Sequence, residues 1–69
     1  MEAITLRAAR VIREKSMKEM AALLGIERTT YGKRERNPHR FSAQDAQRIC
    51  KYLGFAIEDI LDFQPHDIT

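Results

Sequence analysis

A chain of 69 residues makes one small domain, near the lower limit at which a single apolar core offsets the entropy of folding, and has no room for a large catalytic cavity. Its composition, 43% hydrophobic and 32% charged, is that of a globular chain, and the longest unbroken apolar run, Met20 to Leu24, is far too short to cross a bilayer. The net charge of +2 is unevenly spread: all twelve Lys and Arg fall between Arg7 and Lys51, while Glu58, Asp59, Asp62 and Asp67 make the C-terminal stretch purely acidic.

No segment of four or more residues alternates cleanly between apolar and polar, whereas several place apolar residues three and four apart, so the chain is expected to be all-α. MEAITLRAAR lacks a charged start followed by a long apolar region, so no secretory signal is expected. Thr5 is the expected N-cap of a first helix running through about Arg13, with Leu6, Ala9 and Ile12 facing inward. Ser16 followed by Glu19 is a capping box that starts a second helix, in which hydroxyl and carboxylate each satisfy a free backbone N–H. Met20, Ala21 and Leu24 form its buried stripe, and Gly25 stops it by supplying the left-handed conformation a helix end needs. Ile26 completes a tight turn and points inward.

A third helix begins near Glu27 and ends before Asn37 and Pro38. Tyr31 is its apolar anchor, and the rest is mostly polar, with Gly32 costing roughly 1 kcal/mol of helix stability relative to alanine. Such a helix must be held from outside, which leaves one face free for a ligand. Within Arg28 to Arg40 there are five basic residues, Arg28, Lys33, Arg34, Arg36 and Arg40, against the single acid Glu35, and a basic cluster beside a neutral-to-acidic remainder suits a polyanion as partner. Asn37 to Phe41 is a loop. Ser42 with Asp45 resembles another capping box, opening a fourth helix to about Leu53 whose Ala46, Ile49, Cys50 and Leu53 share a face and which Gly54 ends. Phe55, Ile57, Ile60 and Leu61 are expected to form a short fifth helix over the base of the core, and the residues after Phe63 a loose tail.

The stretch MAALLGIERTTYGKRER, with Ala21, Gly25, Ile26, Tyr31 and Glu35, and the stretch from Ile49 to Leu61 together resemble the phage repressor and Cro-type (xenobiotic-response-element-like) helix-turn-helix transcriptional regulators. The resemblance runs without a gap from about Leu6 to Asp62. It implies a compact five-helix fold of the lambda-repressor type, with a DNA-binding domain over residues 1–63 and a tail over 64–69. It also implies that Arg10 and Glu35 form a partly buried structural ion pair. Glu27, Arg28, Thr29 and Lys33 match positions that read base edges, where Arg28 and Lys33 can donate to guanine O6 and N7 and Glu27 can accept from cytosine N4. Ser16, Met17, Arg36 and Arg40 match positions near phosphates.

Several residues depart from the family pattern. Met17 stands where a phosphate-anchoring glutamine is usual, Glu27 where a small polar N-cap is usual, Arg34 where an aromatic is common, Glu14 where a glycine is usual and Lys15 where an apolar residue is usual. A turn between helices one and two that is about two residues shorter would instead put Met17 in the apolar slot.

No catalytic, cofactor or metal site is expected. His39, His66 and Cys50 share no ligand spacing, and Asp59 and Asp62 are read as solvated. Tyr52, Phe55 and Phe63 are candidates either for a dimer patch or for covering the core. The expected function is that of a sequence-specific regulator bound as a homodimer, through its C-terminal helix, to a palindromic double-stranded operator. The expected compartment is the cytoplasm of a bacterium or phage-infected host, on the nucleoid. An alternative is a helix-turn-helix protein that binds and modulates another repressor.

Overall fold

Three of the helices begin at a residue whose hydroxyl fills an amide the helix itself leaves open. The computed structural model describes residues 2–37 and 41–64, in which α1 (Leu6–Ile12), α2 (Met17–Leu24), α3 (Arg28–Arg36) and α4 (Ala43–Leu53) follow in chain order. Thr5 accepts from the Ala8 N–H, Ser16 from Glu19 and Ser42 from Asp45. At α2 the bond is reciprocated: the Glu19 carboxylate accepts from the Ser16 N–H at 3.1 Å. That amide is the main reason the Glu19 carboxyl lies below its usual range. At α4 only half of the expected capping box forms, because the Asp45 carboxylate turns to Arg34, 3.7 Å away, and ties α4 to α3.

α2 and α4 stop at Gly25 and Gly54, both at positive φ. After α2 the Gly25 N–H reaches the Ala22 carbonyl and the Ile26 N–H the Ala21 carbonyl, a pair of bonds that reverses the chain and sets Ile26 against the core. α1 ends by the same device without a glycine. Glu14 takes φ +57, its N–H donates to Val11 and that of Lys15 to Arg10, so a side chain is carried where glycine would sit with less strain.

The core is Leu6 and Ala9 from α1, Met20 and Ala21 from α2, Tyr31 from α3, Ile49, Cys50 and Leu53 from α4, and Ile60. Phe41 closes it, its ring 5.9 Å from Tyr31 and 6.0 Å edge-on from Phe63. Ile12 does not join it and is 56% exposed. The inward stripe of α1 runs through Leu6, Ala9 and Arg10, and Ile12 falls to its side. Arg13 donates to the Leu53 carbonyl at 2.7 Å and lies over the Phe55 ring.

The expected fifth helix does not form. Two single 3₁₀ turns, Ile57–Asp59 and Leu61–Phe63, flank Ile60, which is extended and fully buried. Ile60 pairs in parallel with Ile4: the Ile4 N–H donates to the Asp59 carbonyl at 2.9 Å and the Leu61 N–H to the Ile4 carbonyl at 2.7 Å. Satisfying the backbone of the N-terminal segment interrupts the helix. The described residues thus form an all-α domain of four helices closed by two short turns.

The carboxylates read as solvated are engaged as well. Asp62 accepts from the Leu6 N–H at 2.9 Å, at the positive end of α1, and Asp59 from the Ala56 N–H at 3.0 Å. The last described residue, Gln64, donates its amide to the Ile57 and Ile60 carbonyls. Among the described residues, no helix is long and apolar enough to cross a membrane.

Candidate nucleic-acid interface

α3 has almost no apolar face of its own, and its inner side is held by a hydrogen-bonded cluster. Arg10 donates through Nε to Glu35 Oε2 at 2.9 Å and through Nη2 to Oε1 at 3.2 Å, a two-point contact of guanidinium with carboxylate. The Tyr31 hydroxyl donates to Glu35 Oε2 at 2.7 Å, and Arg10 Nη1 donates to the Lys15 carbonyl at 2.9 Å. Arg10 and Glu35 are each only 8% exposed.

The hydrogen bond to Glu35 outweighs burial and raises the pKa of Arg10. Burial first, and then the bond to Glu35, pushes the Tyr31 hydroxyl well above its usual range. The cluster is therefore one cation, one anion and one neutral donor. Among the described residues, no buried side-chain nitrogen or oxygen lacks a partner. The end of α3, the end of α1 and the turn into α2 are fastened at one point.

The outer side of α3 is free. Arg28, Thr29, Lys33 and Arg36 are exposed; Thr29, Lys33 and Arg36, four and three residues apart along the helix, lie on one face, with Arg28 beside Thr29 at its start. With Met17 and Gly32 they line a shallow groove between the start of α2 and the middle of α3. Met17 is the first residue of α2. It is half-buried against the core, and its Sδ lies 3.6 Å from where a β carbon on Gly32 would stand. A second depression, lined by Thr30, Lys33, Arg34 and Asn37, lies on the flank of α3.

The remaining candidates are placed less uniformly. Glu27 is the N-cap residue of α3, exposed, and its carboxylate makes no capping bond to the helix. Ser16 is exposed beside the groove's α2 edge, but its N–H and its oxygen are already engaged with Glu19. Only its hydroxyl hydrogen remains to donate outward. Met17 offers no polar side-chain group. Arg40 lies outside the described residues, as do His39 and His66. Cys50 is buried in the core, and burial is the first cause of the rise in its thiol pKa.

Two residues, one at this surface and one behind it, carry roles that their local sequence does not announce. Gly32 counts along the sequence only as a weakness in a helix, yet it is buried and forms the floor on which Met17 rests. The signal is a glycine mid-helix in a segment otherwise free of breakers. Phe41, read as part of a loop, supports Tyr31 from behind, and an aromatic next to a helix cap is the only local hint of that.

A family model described as helix-turn-helix matches residues 6–60. Among curated proteins and among solved structures no significant match was found.

Proposed function

Because the chain belongs to the Cro/C1-type helix-turn-helix family, a family of DNA-binding regulators, we propose that it reads a specific operator with α3 lying in the major groove. The observation that carries this reading is the exposed stripe Arg28, Thr29, Lys33 and Arg36, fixed from behind by the Arg10, Glu35 and Tyr31 cluster. Arg28 and Lys33 donate to guanine, Thr29 meets a thymine or a phosphate, and Glu27 accepts from cytosine N4. Arg36, Arg40, the Ser16 hydroxyl and the backbone N–H of Met17 lie near phosphates and set register. Residues 1–63 act as the DNA-binding unit, with Gln64 docked on its last two turns. The protein regulates transcription in the cytoplasm by occupying DNA, without catalysis.

Two copies bind a palindrome, with α3 of each in major grooves one helical turn apart. Ile57 and Leu61, exposed on the two turns that stand in place of the fifth helix, supply the dimer contact. The test is selection from random duplex DNA at low and moderate salt. The expected result is a palindromic site whose binding is lost on Arg28→Ala and Lys33→Ala. Arg36→Ala should weaken all sequences alike and reduce the slope of log affinity against log salt by about 1.

A second reading, a partner-binding modulator of another repressor, is favoured by the loss of the phosphate-anchoring glutamine at the start of α2 and by a mostly apolar depression between α2 and α4. That depression is lined by Leu23, Arg48, Lys51 and Tyr52. Absence of enrichment at low salt, with capture of a purified repressor instead, decides for it.

A further inference from the structure

We infer that the recess formed by Met17, Thr29 and Gly32 receives the 5-methyl group of a pyrimidine base, which makes Met17 and Gly32 determinants of operator specificity. The inference rests on the DNA-binding reading of α3 and deepens it. The outward stripe of α3 is polar except at its centre, where Gly32 withdraws the helix surface and the Met17 thioether comes to within 3.6 Å of the vacant β-carbon position. The floor of the groove is thus a thioether and a glycine backbone, and Thr29 stands at its edge. Its rim is Arg28, Lys33 and Arg36.

A recess of this kind has little to offer a phosphate, whose oxygens seek donors that the floor lacks. It suits a small apolar group carried by something that accepts hydrogen bonds at its border. In the major groove that description fits a methyl on C5 of a pyrimidine. All three rim side chains are donors and none is an acceptor. Thymine places its O4 acceptor next to its methyl, whereas 5-methylcytosine places an amino donor there, so thymine is the better match. The same geometry accounts for a glycine in the middle of a helix, where alanine would be more stable. A β carbon on Gly32 would meet Met17 and Arg36 only at ordinary contact distance, 3.6 and 4.0 Å. Alanine therefore fits the fold, and what it fills is the recess.

The test uses the full chain and its selected operator, with each thymine of a half-site replaced in turn by deoxyuridine and each cytosine by 5-methylcytosine. Affinity is read by fluorescence anisotropy at fixed salt. Removing the methyl from one thymine per half-site is expected to weaken a half-site about fourfold, the effect of burying one methyl-sized group. Gly32→Ala should abolish that difference while raising the thermal midpoint, and Met17→Gln should abolish it with the fold intact. A gain from 5-methylcytosine, with no loss from deoxyuridine, keeps the methyl receptor and assigns it to methylated cytosine. Tight, sequence-specific binding that is indifferent to every methyl overturns the recess and leaves the operator reading standing. No binding to any duplex overturns both.

Discussion

α2 and α3 are nearly equal in length, eight residues against nine, yet they are secured by opposite means. α2 carries a reciprocal capping box at its start and a left-handed glycine at its end, and it buries Met20 and Ala21. α3 starts at an acid that makes no capping bond and ends at Asn37 without a left-handed residue. What holds it is the Arg10, Tyr31 and Glu35 cluster at one end and Arg34 against Asp45 on its flank. A helix that stabilises itself has its polar termini committed. One secured at a few inward points can spend its outer residues on chemistry for a partner, and this is how the two halves of one motif divide support from recognition.

The contrast is broken most directly at Glu35. Glu35→Ala leaves the Arg10 guanidinium buried without its carboxylate, and is expected to cost about 3–5 kcal/mol in denaturant unfolding. A loss below roughly 1 kcal/mol, the scale of a single capping bond, would mean that α3 holds itself. Next in size is Glu14→Gly, just ahead of α2. Releasing a side chain from φ +57 should stabilise the domain by about 1 kcal/mol without changing DNA affinity, and an unchanged melting midpoint would remove strain from the account of that turn. The smallest effect sharpens the contrast by making α3 resemble α2. Glu27→Ser supplies the missing cap and should add roughly 0.5 kcal/mol. It also takes a negative charge from the start of α3, so binding to arbitrary duplex at low salt should tighten; a weaker affinity for every duplex would give Glu27 a contact in all of them.

The helices were legible in the chain because their signals are local. Thr5, Ser16 and Ser42 start three of them, and Gly25 and Gly54 end two. What escaped was set by distant partners. The apolar spacing of Ile57, Ile60 and Leu61 fits a helix, but Ile60 is claimed by Ile4, and no local pattern announces a pairing across so much chain. Ile12 was expected inside because it is apolar, while the inward stripe of α1 went to Arg10, whose burial depends on Glu35. At the candidate interface the chemistry of Arg28 and Lys33 can be read from composition and helical spacing. The groove beside them cannot, since the closeness of Met17 to Gly32 exists only once α2 and α3 have crossed.

The pairing of Ile4 with Ile60, together with the bond from the Leu6 N–H to Asp62, encloses nearly the whole described chain in a single loop. Loop closure of that size is entropically costly, while the contacts within the helix-turn-helix join near neighbours in sequence. Ordering by closure cost places the motif early in folding and the seam between the chain's ends late. Interactions absent from the transition state govern how long a native molecule persists. Asp62→Ala is therefore expected to steepen nothing on the folding limb of a chevron plot and to raise the unfolding limb. Slower refolding would move the seam into the nucleus. On this ordering, the acidic C-terminal stretch sets the lifetime of the exposed α3 face proposed to read DNA and has little say in how fast that face assembles.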